Sequence, residues 1–145
     1  MERFKICCAV HAIIIKDNKI LLQRRSNKNK HGYGKLGLPA GHLEKNENVY
    51  QAIKREMKEE LNIEIINPQL VQVMNLNGDT DVYDAYFFLC QDYNGNIINN
   101  EKNNAKDLEW HDLSFPIVDL FDYENYALSK YIEDKNNKFT LFGWK

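Results

Sequence analysis

The chain has 145 residues, 43% of them apolar and 12% aromatic, enough to bury one core but hardly two, so a single domain over residues 1–145 is expected. Its formal charge of −2 provides no basic field for bulk nucleic-acid binding. No apolar run approaches the ~20 residues of a membrane span, and MERFKICCAVHAIII lacks a small-residue cleavage site, which together read as a cytoplasmic protein without a membrane partner.

Along the chain, CCAVHAIII, the turn signal Asp17-Asn18 and KILLQRR read as a β-hairpin. Cys7, Cys8 and Cys90 make an odd count, with the first two adjacent on that strand. They read as small buried or half-buried thiols rather than a metal site or disulfide framework. A polar loop, SNKNKHGYGK, follows. LGLP then leads into a segment whose second half has helical periodicity and ends near Asn62.

Three β-like runs come next: Ile63 to Ile66, LVQVMNL and VYDAYFFLC. An Asn-rich loop from Asp92 to Lys106 precedes a short strand, LEWHDL. Residues from about Asp119 to Asp134 read as a second helix, before KFTLFGWK. Strands and helices interleave without strict βαβ repetition, so the expected class is α/β (α+β), a mixed sheet with helices packed on it rather than a doubly wound fold.

The first helix carries the chemistry. At 3.6 residues per turn, Glu56, Glu59 and Glu60 fall within an arc of roughly 100°, beside the apolar Val49, Ala52 and Ile53. Asn48, Gln51, Lys54, Lys58 and Asn62 already supply the solvent face, which places the carboxylates on the inward side. Crowded carboxylates stay ionised only if positive charge offsets their repulsion. One arginine, Arg55, is too little, and a hard divalent cation with oxygen ligands, Mg²⁺ or Mn²⁺, would supply the rest.

Gly41, five residues, Glu47, seven residues, then Arg55-Glu56-Met57-Lys58-Glu59-Glu60-Leu61-Asn62-Ile63 resembles the signature of the Nudix hydrolases. The hairpin, LPAGHLE and the LeuGluTrp segment extend the resemblance, in its MutT-like branch, over most of the chain. Asn62 departs from the family's usual Gly at a position that favours a left-handed backbone, which Asn tolerates next best. The same turn is expected there.

The resemblance implies a Nudix fold and hydrolysis of a nucleoside diphosphate linkage. It matches Glu56, Glu59 and Glu60, with the carbonyl of Ala40, to metal ligands. Arg55 matches the arginine that orients them, and Glu47, with Gly41 before it, a position tying the loop to the helix; an acid stabilising the helix dipole explains Glu47 equally well. Glu101, nine residues before Trp110, matches a loop acid that serves as an extra metal ligand or catalytic base, with a solvated loop residue as the alternative. The proton acceptor would be Glu59 or Glu101.

Arg24 matches a phosphate-contacting arginine, against a charge that blunts a strand edge. Asp119 stands where a polar residue reads the base, although it would also serve as a helix N-cap, and Phe115 or Phe121 could stack on the base. His31 and His42 receive no role.

NLNGDTD carries neither the Pro of ADP-ribose enzymes nor the Tyr of dinucleoside polyphosphate enzymes, which favours a nucleoside triphosphate cleaved to monophosphate and pyrophosphate, oxidised purine nucleotides among the candidates. An ADP-ribose or nucleotide-sugar pyrophosphatase is the alternative. A non-catalytic nucleotide-sensing module is a third reading, disfavoured because every signature carboxylate is kept. A homodimer is compatible with the sequence but not specified by it.

Overall fold

The computed structural model describes residues 2–100 and 106–145. In chain order the elements are β1 (Cys7–Ile13), β2 (Ile15–Lys16), β3 (Lys19–Arg25), β4 (Leu36–Gly37), β5 (Ala40–His42), α1 (Val49–Leu61), β6 (Glu64–Ile65), β7 (Gln69–Asn77), β8 (Val82–Leu89), β9 (Tyr93–Asn94), β10 (Lys106–Asp112), α2 (Asp122–Glu133) and β11 (Phe139–Phe142).

A mixed five-stranded sheet runs β11-β7-β8-β1-β5, and a second sheet runs β10-β3-β2 with β4 beside β3. β1 lies parallel to β8, as β11 does to β7, whereas β7 and β8 form an antiparallel hairpin. The expected mixed sheet with packed helices is therefore observed.

The expected first hairpin is shorter than its sequence suggests. Asp17 and Asn18, at φ 51° and 61°, make the left-handed two-residue turn that matches strand twist, but they join β3 only to the two-residue β2. β1 crosses into the other sheet and is paired on both sides, by β8 and β5. The reason is its composition: Val10 and Ala12 are buried on one face, His11 and Ile13 on the other, and a strand apolar on both faces belongs inside a sheet.

That alternation builds two cores. Val10, Ala12, Leu21 and Phe88 pack with Ala52, Ile53, Met57 and Leu61 of α1. Ile13, Ile20, Leu22 and Phe87 pack with Ala127, Leu128 and Tyr131 of α2. Each fully buried large apolar side chain contributes roughly 1.5–3 kcal/mol, so both helices are held by packing more than by propensity.

Local signals set the ends of α1. Asn48 and Gln51 form a reciprocal capping box, each side chain accepting the other's backbone N–H at 2.9 Å. At the other end Asn62 is left-handed (φ 57°, ψ 37°), with its N–H bonded to the Lys58 carbonyl at 3.1 Å. The expected turn is present without glycine.

α2 starts later than the sequence suggests. Its N-cap is Phe121, which offers no capping side chain, and Asp119 lies upstream at φ 71°. The Asp119 carbonyl accepts the Leu36 N–H, and its carboxylate turns to Arg24, so the residue anchors the segment before α2 instead of capping it.

Candidate active site

Between the two sheets and α1 opens a cavity of about 980 Å³. Glu56, Glu59 and Glu60 line it together with Ala40 and Gly41, so the fold brings the signature's first and last parts onto one surface. The three acids are graded in exposure: the Glu60 side chain is 5% exposed, Glu56 13% and Glu59 50%. Glu60 faces the core directly and Glu59 lies at the rim. The expectation of an inward face thus holds for two of the three.

Glu60 is buried beside compensating groups, with Lys106 Nζ at 3.5 Å and Gln23 Nε2 donating at 3.5 Å. Arg55 organises the others. Its guanidinium donates to both Glu47 oxygens (3.0 and 2.7 Å), to Glu56 (2.8 Å), to Glu59 (3.3 Å) and to the His42 carbonyl (3.0 Å). Glu47 also accepts the Glu44 N–H at 2.9 Å, which ties the loop after β5 onto α1. Arg55 holds the Glu47 carboxyl below the usual carboxylate range.

Gly41 has a steric reason. A Cβ there would stand 2.0 Å from the Glu56 carboxyl carbon, so the loop can approach the acid only without a side chain.

Among the described residues, no three His, Cys, Asp or Glu side chains are gathered closely enough to cage a metal by themselves. The donor set nevertheless suits a hard cation. Mg²⁺ keeps several waters and is held by one or two carboxylates plus substrate phosphate, so a pre-formed cage is not required. Glu56, Glu59 and Glu60, with the Ala40 carbonyl, are the hard oxygen donors on this surface.

The NUDIX domain family matches residues 7–126. The chain belongs to the Nudix hydrolase family. It is 33% identical over 137 residues to an ADP-ribose pyrophosphatase of Methanocaldococcus jannaschii, covering 88% of this chain and 74% of that one. It is 31% identical over 109 residues to the Nudix hydrolase YvcI of Bacillus subtilis, covering 72% of this chain and 65% of the relative's length. The crystal structure of a MutT Nudix hydrolase from Burkholderia pseudomallei superposes with a TM-score of 0.74 at 27% identity, over 86% of this chain and 97% of that one.

In this Nudix hydrolase the remaining expected residues are distributed differently. Alternation along β3 sends Gln23 and Arg25 into the cavity and Arg24 to the other face. Arg24 forms a two-pronged ion pair with Glu109 and donates to Asp119 (3.0 Å) and the Gly34 carbonyl (2.9 Å). The arginine of this pair that lines the cavity is therefore Arg25, which also lies over the Phe121 ring at 5.0 Å. Asp119, engaged by Arg24, is absent from the cavity lining, and so is Phe115, which packs against the α2 core. Phe121 does line the cavity.

Glu101 lies outside the described residues. Its neighbour Asn100 donates from its backbone to the Glu60 carbonyl (2.9 Å) and from its side chain to the Glu59 carbonyl (3.0 Å). His42 and His31 border the cavity without ligand partners in common.

Sequence reasoning missed Lys106, and with it His11, Tyr123 and Glu124 on the cavity surface. Alternation puts Arg24 and Arg25 on opposite faces of β3, but Ile20, Leu21, Leu22 and Gln23 are all buried, so the sequence does not say which face lines the cavity. Lys106, His11, Tyr123 and Glu124 converge from β1, β10 and α2, and no local spacing links them.

Proposed function

We propose that this chain hydrolyses a diphosphate linkage in a nucleotide, most specifically a nucleoside triphosphate to its monophosphate and pyrophosphate. The observation that carries this is one cavity with the carboxylates of α1, the cations Arg25 and Lys106, and the aromatic Phe121 on its walls. Phosphate, counter-charge and a planar base each have a complementary surface there.

Glu56, Glu59 and Glu60, with the Ala40 carbonyl, would hold Mg²⁺ or Mn²⁺. When bound, such an ion neutralises charge on the diphosphate oxygens and lowers the pKa of a coordinated water. Arg55 keeps the carboxylates of Glu56 and Glu59 turned to a common side. Arg25 binds phosphate oxygens through its fork of donors. Glu59, half exposed at the rim, is within reach of solvent and is the described residue best placed to accept a proton from water; Glu101 is the other candidate.

The test is chromatography of the products from deoxynucleoside and nucleoside triphosphates with Mg²⁺. Monophosphate with pyrophosphate is expected, and orthophosphate appearing first, or no turnover, would refute the triphosphate reading. A second reading, ADP-ribose cleavage, is favoured by the M. jannaschii relative, whose name is ADP-ribose pyrophosphatase. Rapid cleavage of ADP-ribose beside inert triphosphates would establish it.

A further inference from the structure

Two cations of the chain meet the carboxylates of α1. Arg55 donates to Glu56 at 2.8 Å and to Glu59 at 3.3 Å. Glu60, the most buried of the three, has Lys106 Nζ 3.5 Å from its Oε1 and Gln23 Nε2 donating to its Oε2. Both oxygens of Glu60 therefore already face donors. Gln23 is itself buried and neutral, whereas the Lys106 side chain is 23% exposed and charged.

Lys106 reaches Glu60 from another element. It opens β10, and its partner across the ladder on β3 is Arg25, so the two side chains leave the sheet on one face and both line the cavity. Its carbonyl accepts from Asn99 Nδ2 at 2.5 Å, which anchors the start of the strand. What retains freedom is the flexible stem of the lysine and the compact charge at its tip.

A hard divalent cation draws carboxylate oxygens close, and a second positive charge on the same carboxylate repels it strongly where water is excluded. Lys106 and such an ion thus cannot both hold Glu60. The present spread of the acids accords with this: Glu56 leans on Arg55 and Glu60 on Lys106, and among the described residues no three acids gather into a cage.

We propose that Lys106 is a positioning residue that competes with the divalent cation for Glu60, giving up the carboxylate when the ion is bound and turning its ammonium to the diphosphate of the substrate. Binding of the ion alone breaks an ion pair without replacing it, while binding together with a diphosphate gives the ammonium a new anionic partner. Lys106 thereby couples the two ligands, each raising the affinity of the other. The inference rests on reading the cavity as a metal-dependent diphosphate site.

The reactivity of Lys106 in the whole wild-type protein tests this without turnover. Brief acetylation at about pH 8, read by peptide mass spectrometry against the exposed Lys138, should label Lys106 about threefold or more faster with Mg²⁺ than with EDTA, because an ammonium released from its carboxylate is more accessible. Inorganic pyrophosphate added with Mg²⁺ should slow the labelling again. Isothermal titration of Mn²⁺ supplies the second measurement. Lys106→Met should bind the ion about tenfold or more tightly than wild type, since no ion pair has to be broken, and Lys106→Arg no more tightly than wild type. Arg25→Met removes the same charge from the neighbouring position on the ladder and should change the affinity less. A lysine that only supports the fold would leave its labelling indifferent to Mg²⁺, and its loss would weaken ion binding by disordering Glu60. Labelling unmoved by Mg²⁺ or unprotected by pyrophosphate, Mn²⁺ affinity unchanged or weaker in Lys106→Met, or an equal gain in Arg25→Met would overturn the proposal. If Lys106→Met fails to fold, the wild-type labelling decides alone. Absence of turnover with every nucleotide would refute the proposed reaction instead, and is read separately from ion binding.

Discussion

Single residues in the cavity divide into those that do chemistry and those that make room for it. Glu59 is half exposed and, among the described residues, its side chain is bonded to Arg55 at 3.3 Å, so Glu59→Gln should leave stability nearly unchanged. Turnover should nevertheless fall by roughly 10²–10⁴, the scale for losing a metal ligand or general base, as steady-state kinetics with Mg²⁺ would show. Near-normal turnover would remove Glu59 from the reaction. Gly41 is the complementary case, because a methyl group there meets the Glu56 carboxyl at 2.0 Å. Gly41→Ala should cost about 1–3 kcal/mol in denaturant melts, the usual penalty for overpacking, and lower activity as Glu56 is displaced. A variant as stable and active as wild type would show that the loop can retreat without consequence.

At the scale of elements, α1 shows a signature residue replaced by one that keeps its conformation. Asn62 is left-handed and closes the helix, a geometry that costs non-glycine residues about 1 kcal/mol and Asn somewhat less. Asn62→Gly should leave kcat unchanged and stabilise by a few tenths of a kcal/mol, measured as an increase in Tm. A clear loss of stability would mean that unfolded-state entropy of glycine outweighs the relieved strain. The paired arginines of β3 show the same dependence on local geometry. Arg24 binds Glu109 of β10 and Asp119 before α2, so it joins three segments on the face away from the cavity. Arg25, one residue later, points inward. Arg25→Ala should raise KM for nucleotide at least about tenfold, whereas Arg24→Ala should act mainly through stability. The opposite pattern, read from KM and Tm together, would reverse the assignment of the two side chains.

For the molecule as a whole, the buried His11 and Glu124 give folding a pH dependence of opposing signs. Glu124, raised from 4.5 to about 7, binds a proton more tightly when folded, so its contribution is complete below 4.5 and is lost as pH rises through about 7. His11, lowered from 6.5 to about 4, contributes above 6.5 and loses that contribution as pH falls through about 4. The two partly cancel in wild type. Glu124→Gln should leave the His11 dependence alone, so the variant gains stability relative to wild type at about pH 8 and forfeits it towards about pH 5. Thermal melts across that range would check this, and a difference independent of pH would mean that Glu124 does not titrate with folding.

What the amino-acid sequence determined by itself was helix α1 with its clustered carboxylates and the hydrolase family to which they point. A capped 13-residue helix, its acid spacing and the glycine before it are local, and local spacing fixes which side chains share a helix face. The mixed sheet and the Asp17-Asn18 turn were legible for the same reason. Only the tertiary structure decided that β1 leaves its apparent hairpin to lie between β5 and β8, because strand pairing is chosen by burial on both faces and not by proximity in the chain. It also decided that Asp119 and Phe115 stand outside the cavity while Glu124 lines it. Helix α2 begins at Asp122, and it is docking of Ala127, Leu128 and Tyr131 on the sheet that sets its rotation and so aims Glu124 at His11, more than a hundred residues away along the chain. No periodicity along the chain can encode such a meeting, since it depends on how separate elements settle against a common core.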